Sequence, residues 1–242
     1  VGWNLKELKD YLYYEEKDPD IKIYHGDCLA VMPMLPKVDL TLTDPPYGIG
    51  YKYLSYEDSL ENLRAVVVPA IAKASKLANR TATFCGLRHV FEYPKADWII
   101  AWAWRGTNTY GDYGVNQWQP ILCYGSDVKG FGSINGIIKG DAIHYEGGNS
   151  DEIKNLKDHP CPKNVGIIKR LILRLSNGGD TVLDPFLGSG TTLVACKELN
   201  RNGIGIEINE KYCGIAKKRL RATTKSLFTT PVKCEETQRD LL

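Results

Sequence analysis

Apolar and polar positions along this chain change their period repeatedly, and each change predicts an element. The apolar run Val38 to Thr43 reads as a strand that stops at Asp44-Pro45-Pro46-Tyr47-Gly48, because two successive prolines cannot continue a ladder. Helical spacing over Leu60 to Leu77 predicts a helix that Pro69 kinks. Strands are then predicted at Thr81 to Cys85, Trp98 to Trp104 and Pro120 to Tyr124, with the stretch Arg105 to Gln119 as a long connection. From Gly125 to Asp158 glycines and polar residues replace the pattern, which predicts a loop-rich insert. Order returns with an amphipathic helix, Val165 to Leu175, ended by Ser176-Asn177-Gly178-Gly179. A βαβ unit follows: strand Thr181 to Leu183, the loop Asp184 to Thr192, a helix to Leu199, a turn at Asn202-Gly203 and strand Ile204 to Ile208. A basic helix, Lys211 to Arg221, precedes a polar tail. Alternating helix and strand predicts an α/β fold around a largely parallel sheet.

Composition narrows the class. With 242 residues, 43% hydrophobic and 25% charged, the chain is neither disordered, collagenous nor coiled coil, and one domain is expected over 1–242. Lys and Arg number 31 against 29 Asp and Glu, so any nucleic-acid footprint must be local. Neither a membrane-spanning run nor a signal-peptide pattern over Val1 to Asp10 is apparent, and a cytoplasmic protein without a membrane partner is expected. The seven scattered cysteines form no Cys-x-x-Cys pair, which suits reduced core thiols. His159 and Cys161 lack a second ligand pair, so no metal is expected.

Two segments carry chemistry. Gly188-Ser189-Gly190 lies between a strand and a helix, where small residues let backbone amides approach an anion and the helix dipole favours negative charge. Glu207 ends the next strand, about 20 residues on, where doubly wound folds place the carboxylate that receives ribose hydroxyls. The loop has no third glycine and no Gly-Lys-Ser/Thr, so a ligand with a ribose and a small carboxylate fits better than a dinucleotide or a nucleoside triphosphate: S-adenosylmethionine.

Asp44-Pro45-Pro46-Tyr47 suits methylation of an exocyclic amine on a base. That nitrogen is a poor nucleophile because its lone pair is delocalised into the ring. The Asp44 carboxylate and Pro45 carbonyl can accept both amino hydrogens and turn the lone pair toward a methyl donor. The prolines stiffen the loop, and Pro46 brings no competing donor. Tyr47 offers a face on which an extruded base can stack.

Together these motifs resemble the β class of DNA amino-methyltransferases, in which the catalytic motif precedes the cofactor motif. The resemblance spans residues 22 to 221 and implies a doubly wound, seven-stranded mixed sheet with one antiparallel strand near the edge and a circularly permuted motif order. It divides the chain into a catalytic half (22–124), a target-recognition insert (125–158), a cofactor half (159–221) and a tail (222–242). It implies cofactor contacts from Asp27 in Gly26-Asp27-Cys28-Leu29, from Asp184, Pro185, Phe186, Gly188, Ser189, Gly190 and Thr191, and from Glu207. His159-Pro160-Cys161-Pro162-Lys163-Asn164 resembles the family's His-Pro-Thr-x-Lys-Pro element, with Cys161 and Asn164 departing from it.

The expected activity is site-specific methylation of a flipped adenine at N6 in DNA, by direct in-line transfer without a covalent enzyme intermediate, as in restriction–modification systems. In the family an Asp at the first motif position favours adenine and a Ser cytosine. Cytosine-N4 methylation and a non-catalytic DNA-binding protein are the alternatives, and a homodimer is left open. Arg105 to Tyr110 and Asn116 to Gln119, with Arg105, Asn116 and Trp118 foremost, combine donors, amides and aromatics suited to a base pocket or strand contact, and Lys129, Lys139, Lys154 and Lys157 are candidates for phosphate contacts. The charges Lys211 to Lys225 are read as a solvated helix face.

Overall fold

The computed structural model describes residues 6–105, 109–111, 114–125, 137–141 and 163–224. Its strands are β1 (Leu12–Lys17), β2 (Asp20–His25), β3 (Val38–Thr43), β4 (Ala78–Phe84), β5 (Trp98–Arg105), β6 (Thr109–Gly111), β7 (Gly114–Asn116), β8 (Trp118–Tyr124), β9 (Ile137–Asp141), β10 (Thr181–Asp184) and β11 (Asn202–Glu207). Its α-helices are α1 (Cys28–Val31), α2 (Leu60–Asn62), α3 (Val68–Leu77), α4 (Val165–Leu175), α5 (Thr191–Glu198) and α6 (Glu210–Ala222).

Nine strands form one sheet in the order β1-β2-β11-β10-β3-β4-β8-β5-β9. The expected seven are its centre, β2 through β5, in which only β8 runs antiparallel to its neighbours. The two additional strands lie at the edges: β1 folds back antiparallel on β2, and β9 pairs parallel with β5. Residues 125–158 therefore contribute a strand to the sheet, not loop alone. Pairing satisfies the polar backbone of an otherwise open edge strand, a gain that a local hydrophobic pattern does not register.

Alternation on β10 shows that both faces are covered. Val182 packs with Leu171 and Ile172 of α4 and Ala195 of α5, whereas Leu183 packs with Ala70 and Ala74 of α3 and Val31 of α1. On β2, Ile21 and Ile23 meet Cys213, Ala216 and Leu220 of α6.

Three further differences from the sequence reading have local causes. Leu60 to Leu77 is one turn, α2, then a π-helical segment over Leu63–Val67, then α3. Pro69 falls in the first turn of α3, where its missing N–H costs little, and the irregularity is displaced upstream. The turn expected at Asn202-Gly203 is made by Asn200, whose φ is 56°, and β11 starts at Asn202. Gly203 is needed for close approach instead, since a Cβ there would stand 2.5 Å from Leu193 Cδ2. The Arg105 to Gln119 connection contains the antiparallel pair β6–β7.

Candidate active site

Strand register builds the site. Leu183 of β10 pairs with Thr41 of β3 and with Ile204 of β11, so the chain leaves all three strands on the same carboxyl edge. The residue that ends β3, Thr43, donates its hydroxyl to Asp184 Oδ1 at 2.7 Å. Asp44 follows it directly. Asp184 is 3% exposed and also accepts Phe186 N–H at 3.1 Å. Burial pushes its carboxyl up to about 6, against the opposing bonds from Thr192, Thr43 and Phe186 and with Asp44 adding to the rise.

Behind Asp44 lies a network of side chains. The Tyr47 hydroxyl donates to Asp44 Oδ1. The same hydroxyl accepts from Gln119 Nε2 at 2.7 Å and from Lys163 Nζ at 3.0 Å. Lys163 also donates to Gln119 Oε1 at 2.9 Å and approaches Asp44 Oδ1 at 3.4 Å. Burial, then the Asp44 charge, pushes the Tyr47 phenol well above its ordinary range, so it acts as a hydrogen-bonding group and not as an anion. The loop beyond is clamped by Asp58, 3% exposed, whose carboxylate accepts N–H from Gly48, from Ile49 at 3.2 Å and from Tyr51 at 3.0 Å. Gly48 and Gly50, at φ 72° and 79°, supply the left-handed turns that this wrap requires.

The glycine loop is built differently. Gly190 caps α5 at φ 86°, and a Cβ on it would lie 2.7 Å from Ala216 Cβ. Glu207, 8% exposed, accepts Gly188 N–H on Oε2 and Asn209 N–H on Oε1, both at 2.8 Å. Burial pushes its carboxyl up to about 7, the two backbone bonds opposing. Arg219 of α6 donates to the Ser189 carbonyl at 2.8 Å and to Thr191 Oγ1 at 3.1 Å. One member of the supposed solvated face thus holds the loop: the helix turn carries it inward, which a count of charges cannot show.

Both loops open into one cleft of about 840 Å³ including its open mouth. Asp44, Pro46, Lys163, Asp184, Phe186, Gly188, Ser189, Thr191 and Glu207 line it, joined by Tyr53, Ser55, Tyr56, Ile208 and Tyr212. The donor set suits S-adenosylmethionine. Three carboxylates favour a cation, aromatic rings surround the space, Glu207 retains lone pairs for hydroxyl donors, and the buried Tyr56 hydroxyl has no hydrogen-bond partner among the described residues.

Not every expected residue lies on this lining. Pro45, Pro185 and Gly190 are buried behind it, and Tyr47, half-buried, is not on the lining either, its hydroxyl being engaged behind Asp44. Asp27 is exposed, caps α1 by accepting Leu29 N–H at 2.9 Å, and is linked to the site through Gly26 N–H to the Glu207 carbonyl at 3.0 Å. Trp118 is 40% exposed at the start of β8. Arg105, Asn116 and Lys139 fall on β5, β7 and β9, with side chains outside the described set, and Lys129, Lys154 and Lys157 lie outside the described residues altogether. The sequence pattern does not mark Asp58 or Tyr56, which carry no motif. Lys163 and Gln119 lie within stretches the sequence singled out, the His159 to Asn164 element and Asn116 to Gln119, but their joint hold on Tyr47 is not readable there.

The described cysteines 28, 85, 123, 196 and 213 are free thiols, and burial pushes all five up, which removes them as nucleophiles. Among the described residues there is no metal-binding group, and no helix is long and apolar enough to cross a membrane.

The Asp44 loop and the glycine loop thus share one sheet edge, one cleft and one hydrogen bond, Thr43 to Asp184, a construction that fits the class of methyltransferases that use S-adenosylmethionine. The profile of the DNA methylase family matches residues 138–218. The type II methyltransferase M.HpaI of Haemophilus parainfluenzae is 30% identical over 76% of this chain and 68% of its own. The DNA adenine methyltransferase YhdJ of Escherichia coli K12 is 27% identical, covering 82% of each chain. Among solved structures, the M1.HpyAVI–SAM complex superposes with a TM-score of 0.57 at 26% identity over 83% of this chain and 99% of that one. The chain belongs to this family, the S-adenosylmethionine-dependent DNA amino-methyltransferases.

Proposed function

We propose that the protein methylates the N6 amine of an adenine flipped out of duplex DNA. The observation that carries the reading is Asp44, which follows the Thr43 link to the cofactor half and lines the shared cleft. An Asp at this position favours adenine by family resemblance, and the relative named as a DNA adenine methyltransferase supports the same base. Mass analysis of nucleosides from DNA of cells expressing the chain tests it: N6-methyladenine is expected, and N4-methylcytosine would overturn it.

In this reading S-adenosylmethionine, when bound, supplies an electrophilic methyl group. Glu207 receives the ribose hydroxyls, and Phe186 with the Gly188 to Thr191 loop holds the methionine end. Asp27 serves the adenine end from the rim. Asp44 and the Pro45 carbonyl accept the two amine hydrogens and so return the nitrogen lone pair to reactivity. Tyr47 borders the base while its hydroxyl keeps Asp44 in place. Because these contacts exist only with the base extruded, they act on turnover more than on cofactor binding. Target recognition is assigned to residues 125–158. Replacing that segment should remove sequence preference and leave cofactor affinity unchanged.

A further inference from the structure

We propose that Lys163 is a specificity-determining residue which donates to the ring nitrogen beside the amine that Asp44 accepts. This rests on the functional reading above and adds to it the second half of base recognition.

Base recognition is set by the hydrogen-bonding edge that a target base presents. Adenine and cytosine share an amine adjacent to an unprotonated ring nitrogen, a donor beside an acceptor. The complementary protein surface is an acceptor beside a donor. Asp44 Oδ1 and Lys163 Nζ, 3.4 Å apart at the cleft wall, are such a pair. Guanine and thymine carry the reverse pattern, a carbonyl beside a ring N–H. Their carbonyl would face the carboxylate and their N–H the ammonium, and both contacts are repulsive.

Lys163 is also held so that one donor can be released. Its side chain is 15% exposed, and its ammonium lies 4.8 Å from the centroid of the Phe84 ring and 5.6 Å from that of Trp102. Two short bonds anchor it, 2.9 Å to Gln119 Oε1 and 3.0 Å to Tyr47 Oη. Gln119 cannot drift, because its Nε2 is used by the Tyr47 hydroxyl at 2.7 Å and the Cys85 carbonyl at 3.3 Å. The contact to Asp44 is the longest of the three and therefore the first to yield. A base amine arriving at Asp44 displaces it, and the freed N–H remains beside the position that the neighbouring ring nitrogen takes.

The test compares two duplexes, one with the target adenine and one with a deaza analogue in which the ring nitrogen beside the amine is replaced by C–H. Wild type should lose roughly tenfold to a hundredfold in kcat/KM on the analogue, the worth of one charge-assisted hydrogen bond. Lys163→Met should lose a similar factor on adenine and little more on the analogue, while Lys163→Arg should keep the discrimination. A purely structural lysine would give equal analogue penalties in wild type and Lys163→Met, and that result overturns the inference. So does an absence of penalty in wild type, which requires no variant to fold. Wild-type turnover on the adenine duplex reports on the functional reading, whereas the ratio between duplexes reports on Lys163 alone.

Discussion

The two loops that meet at the carboxyl edge hold their carboxylates in opposite ways. Around the glycine loop the partners of Glu207 are backbone amides, Gly188 and Asn209, and the acid is set by the end of a central strand. Around the catalytic loop the partners of Asp44 are side chains, Tyr47 and Lys163, tied in turn to Gln119. Backbone partners cannot leave without unfolding the turn, whereas side-chain partners can be exchanged. A cofactor site that is refilled at every cycle gains from rigidity. An acceptor site must admit a base into contacts that the protein makes to itself beforehand. Asp58 shows that the catalytic loop uses the rigid device as well, on three backbone amides, but places it away from the reacting atoms.

The largest expected effect separates the two loops most sharply. Asp44→Ala should lower methyl transfer by roughly 10²- to 10⁴-fold while calorimetric affinity for S-adenosylmethionine stays within about twofold. An active variant would break the comparison, since Asp44 would then be structural.

Glu207→Ala should do the reverse and weaken cofactor binding by roughly tenfold to a hundredfold, because charge-assisted bonds to the ribose are lost and two backbone amides lose their acceptor. Unchanged affinity by calorimetry would place the cofactor elsewhere.

Gly190→Ala adds a Cβ at a left-handed position against Ala216. Strain and overpacking together should lower stability by about 2 to 4 kcal/mol in denaturant unfolding. The scale of that loss against Asp58→Ala, for which roughly 1 to 3 kcal/mol is expected from unsatisfied amides, measures how rigid each loop is.

The smallest effect is a pH dependence. Burial raises the Glu207 carboxyl to about 7, so the free protein holds a proton there below neutrality. Ribose hydroxyls donate better to the carboxylate, so cofactor binding expels that proton and affinity should rise several-fold as pH increases through about 7. The stability sign is the opposite. The folded state binds this proton more tightly than the unfolded one, so the Glu207 contribution to stability falls as pH rises from the ordinary carboxylate range to about 7. Glu207→Gln should flatten the binding profile, and an unchanged profile would assign the titration to another group.

What the sequence determined by itself is local. Period changes located β3 and α4 with their bounds, and the Asp44 and Gly188 motifs were legible because proline pairs and glycine loops impose backbone geometry at fixed spacing. The partners of Gln119 and the inward role of Arg219 were not legible, since both work across long separations: Gln119 is 44 residues from Lys163 and Arg219 28 residues from Thr191. Asp58 is nearer its partners, 7 to 10 residues from Tyr51, Ile49 and Gly48, but a lone carboxylate wrapped by a loop has no spacing signature. The edge strands β1 and β9 belong to the same category, because pairing decides them and not their own pattern. That both loops open at one carboxyl edge follows from the expected sheet, but the tie itself, Thr43 on Asp184 across 141 residues, came from the tertiary structure alone. A motif fixes the conformation of its own few residues, whereas sheet register, which depends on every strand between, fixes what that conformation faces.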